Sequence, residues 1–238
     1  MKYTYKPVKR LFSKPETQYK MNKGFKVGYY NLGLFLAPYN IGGVNICPSA
    51  SEGCIKSCLN TAGRGQMDSV QLSRLNKKYY FLANRSGFLK QLDHEIKTKK
   101  KYCDKNNLTL AVRLNGTSDL PYERYKLENG LNLMENNPDV IFYDYTKIKN
   151  RLDQKLPDNY SLTFSKSESN DQDVQQVLNN GGNAAIVFKD RLPETYLNKT
   201  VIDGDKNDLR FKDPKNIIVG LVAKGKAKKD QSGFVVNY

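Results

Sequence analysis

Three of the four cysteines, Cys47, Cys54 and Cys58, fall in a C-x6-C-x3-C spacing. Thiolates this close in sequence are natural ligands for soft transition metals. Zinc sites usually show two close pairs of ligands and often draw on histidine. Here there is one triplet, and the single histidine, His94, lies far downstream. Three thiolates can instead hold three irons of a [4Fe–4S] cluster, leaving one iron open or bound by a ligand other than cysteine. Zinc and plain buried thiols stay open as alternatives. Gly53, Gly63 and Gly65 flank the triplet, where they would let backbone approach the sulfides and tune their potential. With one histidine, any Ser-His-Asp arrangement and most zinc hydrolase designs are excluded unless His94 alone serves.

The elements that must position these thiols are read from short apolar runs alternating with helical stretches. Strands are expected at 32–37, 109–114, 140–145, 160–164, 184–188, 200–203 and 217–222. Several are nearly continuous in apolar residues, as parallel strands covered on both faces require. Helices are expected at about 68–84, 87–103, 122–136 and 172–179, with Ser86 as a start signal and Gly181–Gly182 as a stop. This alternation predicts an α/β fold with mainly parallel strands, either an open doubly wound sheet or, as the favoured reading, a (β/α) barrel or partial barrel. Residues 1–30 form a basic, tyrosine-rich N-terminal arm or small edge structure, and 31–238 a single α/β domain.

Both architectures bind ligands at the carboxyl ends of the strands. Polar residues collect there: Asn115, Ser118 and Asp119; Asp144 and Lys147; Ser165 and Glu168; Asp203, Asp205, Asp208 and Arg210. Asp119, Asp144, Lys147 and Asp203 are the candidate catalytic groups. Asn115, Ser118, Asp119, Asp144, Ser165, Asp205 and Arg210 are the candidate cofactor contacts. For Asp119 and Asp144, supporting or helix-capping roles weigh equally. The acidic group Asp203, Asp205 and Asp208 would bind a divalent cation, hold a ribose hydroxyl, or pair with Arg210, Lys206 and Lys212. Cys103 ends an expected helix just before a strand, at the opposite end of the sheet from the triplet. A six-residue strand spans roughly 20 Å, so Cys103 is read as a bystander.

Composition narrows the classes further. The chain has 238 residues, 39% of them hydrophobic, with 39 Lys and Arg against 24 Asp and Glu, a net charge of +15. That content supports one domain with a real core and argues against disorder. Its positive charge favours polyanionic partners, nucleic acid among them. No run of about 18 apolar residues is present, and the first twenty residues lack the apolar middle of a secretory signal. The expectation is a protein that stays in the cytoplasm and does not engage the membrane.

A strand followed by a three-cysteine loop at the ligand face resembles the radical S-adenosylmethionine enzymes, which are full or partial (β/α) barrels. Their spacing is C-x3-C-x2-C, and where they carry a Gly-Gly-Glu-type stretch this chain has NGTSDLPYE. More extensively, the sequence resembles the phage gene 88 protein family. The matching stretches include GLFLAPYNIGGVNICPSASEGCIKSCLNTAGRG, AVRLNGTSDLPYE, VIFYDYTKIKNR, YSLTFSKSESN and VIDGDKNDLRFKDP. The resemblance carries over the cysteine triplet together with Asn115, Ser118, Asp119, Asp144, Thr146, Lys147, Asp203, Asp205, Asp208 and Arg210. Cys103 is not part of it. It implies a phage-encoded protein acting in the cytoplasm of an infected bacterium, with an iron–sulfur site. Two functions follow as expectations. One is a [4Fe–4S] enzyme whose open iron takes S-adenosylmethionine or a substrate oxygen. The other is a non-catalytic iron–sulfur redox or structural protein acting on nucleic acid, a host partner or the virion through its basic surface.

Overall fold

The computed structural model describes residues 3–238. In chain order the elements are β1 (Phe12–Ser13), α1 (Tyr19–Asn22), β2 (Tyr29–Leu34), α2 (Glu52–Lys56), α3 (Asp68–Ala83), α4 (Arg85–Lys105), β3 (Thr109–Arg113), β4 (Ile141–Thr146), β5 (Tyr160–Ser165), α5 (Asp171–Asn179), β6 (Ala184–Phe188), β7 (Thr195–Tyr196), β8 (Lys199–Asp203), β9 (Ile218–Val222) and β10 (Val235–Val236). Nine strands follow the order β1-β2-β3-β4-β5-β6-β9-β8-β7, and β10 joins β6. Among the described residues only β1–β2 and β7–β8 pair antiparallel. The expected parallel α/β architecture is therefore present, but the sheet does not close. β1 and β7 are its edges, and no closed barrel forms.

The apolar runs form strands because both of their faces are covered. On one face Leu110, Val112 and Phe142 pack against Phe88, Leu89, Leu92 and Ile96 of α4 and Phe81 of α3. Further along, Phe164, Ile186, Phe188 and Ile218 pack against Val174, Val177 and Leu178 of α5. The opposite face is more polar. Asn31 donates to the Met21 carbonyl at 3.1 Å, and Arg113 pairs with Asp208 at 3.2 Å. Tyr143 donates to Asp208 at 3.1 Å and its ring lies 5.5 Å from Phe211. The turn after β8 thus fills this face. Asp205 ties it to α1, on the far side of the sheet, by pairing with Lys20 at 2.6 Å, and to the chain after the neighbouring β9 by pairing with Lys224 at 2.7 Å.

Three sequence expectations are corrected. The helix expected over 122–136 is one short 3₁₀ turn, Tyr122–Arg124, followed by loops. Asn132 caps the backbone N–H groups of Met134 and Glu135 at 2.9 Å each, and Gly130 takes φ 81°, so local turns replace the helix. The first parallel strand begins at Tyr29, just after Gly28 at φ 83°, and ends at Leu34. Beyond it the Ala37 N–H bonds the Arg74 carbonyl, drawing the chain out of the sheet toward α3. The start signal of α4 is Asn84, whose side chain accepts from the Gly87 N–H at 2.9 Å, and Ser86 lies inside the helix.

Candidate functional site

The cysteine loop leaves the carboxyl end of β2 and returns into α3. Its backbone is held by α3 side chains at helical spacing. Lys78, fully buried, donates to the carbonyls of Tyr39 and Ile41 at 2.8 and 2.6 Å. One turn earlier Arg74 donates to the Asn60 carbonyl at 3.2 Å, and Gln71 donates to the same oxygen at 2.7 Å. On the far side, Glu168 after β5 accepts from Ser51 Oγ at 2.6 Å and from the Gly53 N–H at 2.7 Å. Ser51 in turn caps α2 by accepting from the Cys54 N–H.

The three thiols are half-buried. Cys47 Sγ accepts from the Tyr39 N–H at 3.3 Å and lies 3.7 Å from the Thr117 carbonyl oxygen. Cys58 Sγ accepts from the Asn60 N–H at 3.5 Å. Cys54 packs with Ala223, Ala227, Phe234 and Val235. Burial pushes the Cys47 thiol up to about 11, and the charges of Cys58, Asp119 and Cys54 add to it. Burial also raises Cys58, helped by Cys54 and opposed by the Asn60 N–H, Arg74 and Lys147. Burial lowers Lys78 to about 8 and also lowers Arg74, while Cys47 and Cys58 respectively oppose those shifts. Cys47 and Cys58, both raised and with cations facing them, form with Cys54 a donor set whose thiolates would be favoured if a metal supplied the missing positive charge. In chemistry they fit a thiolate-held cluster inside a cationic surround. Among the described residues, no three His, Cys, Asp or Glu side chains stand as a preformed ion-holding group. Cys103 is buried in the core near the start of β3, its carbonyl accepting from the Leu108 N–H.

Asn115, Ser118, Asp119 and Asp144 do come together, at the ends of β3 and β4, and they bond chiefly to protein groups. Asp144 accepts from the Asn115 N–H at 2.7 Å, from Asn115 Nδ2 at 3.2 Å and from Tyr160 OH at 2.9 Å. Ser118 Oγ donates to Asn115 Oδ1 at 2.8 Å. Asp119 accepts from Thr146 Oγ1, the Lys147 N–H and Arg151 Nη1, each at 2.8 Å. Arg151 is fully buried and also grips Glu123 through two bonds of 2.9 Å. Since the Asp119 N–H donates to the Ile46 carbonyl, this network sets the backbone next to Cys47. Lys147 reaches past it, donating to Ser165 Oγ at 2.8 Å with its ammonium 5.5 Å from the Phe234 ring centre.

The acidic residues after β8 take different partners from those the sequence suggests. Asp203 accepts from the Asp205 N–H at 2.8 Å, Asp205 binds Lys20 and Lys224, and Asp208 binds Arg113 and Tyr143. Arg210 is buried, donating to the Asn207 carbonyl at 3.0 Å, with its Nε 3.3 Å from Asp213. Asp205 and Asp208 are held in ion pairs with residues distant in sequence, whereas Asp203 takes the nearby Asp205 N–H. Gly53 proves to be a contact for the C-terminal segment: a Cβ there would collide with Ser232 Oγ and lie 2.7 Å from Phe234 Cβ. Arg74, Lys78 and Arg151 escape a sequence reading because isolated cations usually signal solvent. The visible clue is the Gln71, Arg74, Lys78 stripe at i, i+3, i+7, one helical face.

No helix among the described residues is long and apolar enough to cross a membrane. No curated protein and no solved structure matches the chain. The family model described as gene product 88 matches residues 8–238, nearly the whole sequence, and the chain therefore belongs to the gene product 88 family of phage proteins.

Proposed function

We propose that the chain is an iron–sulfur protein of the infected bacterial cell, in which Cys47, Cys54 and Cys58 hold a [4Fe–4S] cluster with one iron left open to S-adenosylmethionine or a substrate oxygen. The observation that carries this reading is the loop itself. Three thiols follow the first parallel strand, neighbouring cysteines help to raise Cys47 and Cys58, and Arg74, Lys78 and Lys147 supply positive charge around them. The bound group would supply one-electron chemistry. The protein's own residues have three tasks. Arg151, Asp119 and Asp144 fix the loop beside Cys47, and Glu168 fixes it beside Cys54. Lys147 and Ser165 present a polar pair toward the end of the sheet, suited to orienting a second molecule.

The test is iron and acid-labile sulfide per chain after anaerobic purification, with electron paramagnetic resonance of the reduced protein. About four of each are expected, retained in Cys103→Ala and lost in Cys54→Ala. Zinc, or no metal after anaerobic reconstitution, overturns the proposal. A change in the resonance on adding S-adenosylmethionine is expected for the enzyme form, and an unchanged spectrum removes that form.

A further inference from the structure

We infer that a basic groove, separate from the cysteine loop, binds the phosphodiester backbone of single-stranded nucleic acid. The groove, about 310 Å³, lies between the chain around β1 and the exposed side of α4. Lys9, Arg10 and Lys14 line one wall, and His94 and Lys99 the other. Among the described residues, none of these lysines and neither Arg10 nor His94 takes part in an ion pair. The rest of α4 differs. There Lys97 pairs with Asp93 at 2.8 Å, and Lys100 pairs with Asp104, each one turn away.

The one carboxylate in the groove is already committed. Glu95 accepts the N–H groups of Leu11 and Phe12 at 2.8 and 3.1 Å, and a Gln91 N–H at 2.9 Å. It therefore shapes the cationic wall, and its single negative charge stands against the four positive ones of Lys9, Arg10, Lys14 and Lys99. Lys99 sits 5.1 Å from the Tyr30 ring centre and 4.8 Å from that of Tyr102, and Tyr102 is exposed. Four cationic side chains outside any ion pair exceed what one small phosphate needs and suit successive phosphodiesters. An exposed aromatic ring beside them adds a surface on which a base can stack. The inference does not depend on a cluster being present.

The experiment is fluorescence anisotropy of a labelled oligodeoxynucleotide of about 20 nucleotides titrated with the full chain over a salt series. The triple variant Lys9→Ala, Arg10→Ala, Lys14→Ala is compared with Lys226→Ala, Lys228→Ala, Lys229→Ala, which removes the same charge elsewhere. The groove variant is expected to bind at least about tenfold more weakly, with a salt slope shallower by about two. The second variant should stay within about twofold of the unmodified chain. Thermal melts verify folding, and Lys99→Ala repeats the comparison with one substitution should the triple variant fail to fold. Equal losses in both triples, or no binding by the unmodified chain at low salt, overturn the inference. Displacement by millimolar inorganic phosphate at constant ionic strength also overturns it, because the groove would then be a site for a free anion.

Discussion

Gly53 and Glu168 are joined across the mouth of the sheet. The Gly53 N–H, in the loop after β2, donates at 2.7 Å to a carboxylate that follows β5. The strands that carry these loops are separated by β3 and β4, so the bond ties down the cysteine loop from a distance. The Ser51 hydroxyl completes the grip. Burial alone would raise Glu168, but Ser51 and the backbone N–H groups outweigh it and hold the carboxyl below its usual range. A depressed value means stability present above the ordinary carboxylate range and lost as pH falls through the folded value. Glu168→Gln keeps the shape and removes the charge. It should cost about 1–2 kcal/mol in urea denaturation at neutral pH, with the difference shrinking in acid. An undiminished difference in acid would sever the link to the charge.

Asp144 behaves in the opposite sense. Burial pushes its carboxyl up to about 6, against the pull of the Asn115 N–H, Arg151, Arg113 and Tyr160. The native protein then holds a proton over a window in which the unfolded chain has released it. The residue's contribution to stability falls as pH rises from about 4 to about 6. Asp144→Asn turns an amide NH₂ toward donors and should cost about 1–3 kcal/mol. The gap between variant and unmodified chain should narrow from about pH 4.5 to pH 7, and denaturation midpoints at both values check the direction.

Arg151 neutralises Asp119 and Glu123 with no solvent access of its own. Arg151→Met leaves both carboxylates poorly exposed and uncompensated, a loss of about 3–5 kcal/mol. Arg151→Lys should recover only part of it, because the two-pronged contact to Glu123 needs the planar guanidinium. Matching midpoints for the Lys variant and the unmodified chain would show that charge alone suffices.

Asp205 is held at about 2. Burial opposes this, and the bonds from Lys20, Lys224 and the Val222 N–H produce it. Its stabilisation is therefore present above about pH 4 and disappears toward pH 2. Asp205→Asn should lower stability by about 1 kcal/mol, an effect that weakens in high salt because the side chains are partly exposed. A salt-independent difference would assign the role to packing.

The parallel strands are legible in the sequence because apolar runs such as LTLAV and AAIVF have few other uses. The stretch over 122–136 misleads because Leu127, Leu131 and Met134 carry helical spacing, while Asn129 and Asn132 spend their side chains on the local backbone and break the helix. Two-residue strands such as β7 and β10 leave too little pattern to find. At the site, residue types were visible and partners were not. The triplet stands out by spacing, and Asn115, Asp119 and Asp144 by their position after strands. That they mostly bind one another, through Tyr160 and Arg151, depends on strand register that only the folded chain supplies.

The Lys20–Asp205 pair has a kinetic corollary. Lys20 precedes the first parallel strand, and the carbonyl it also binds belongs to Gly204, 184 residues away in sequence. Such a contact forms only after the strands between them have assembled, since closing so long a loop early brings entropy loss and no reward. It is therefore a late event in folding and one of the first to open. Breaking it should leave the refolding rate nearly unchanged and speed unfolding. The sheet's two margins would then act as a latch on the lifetime of the native state.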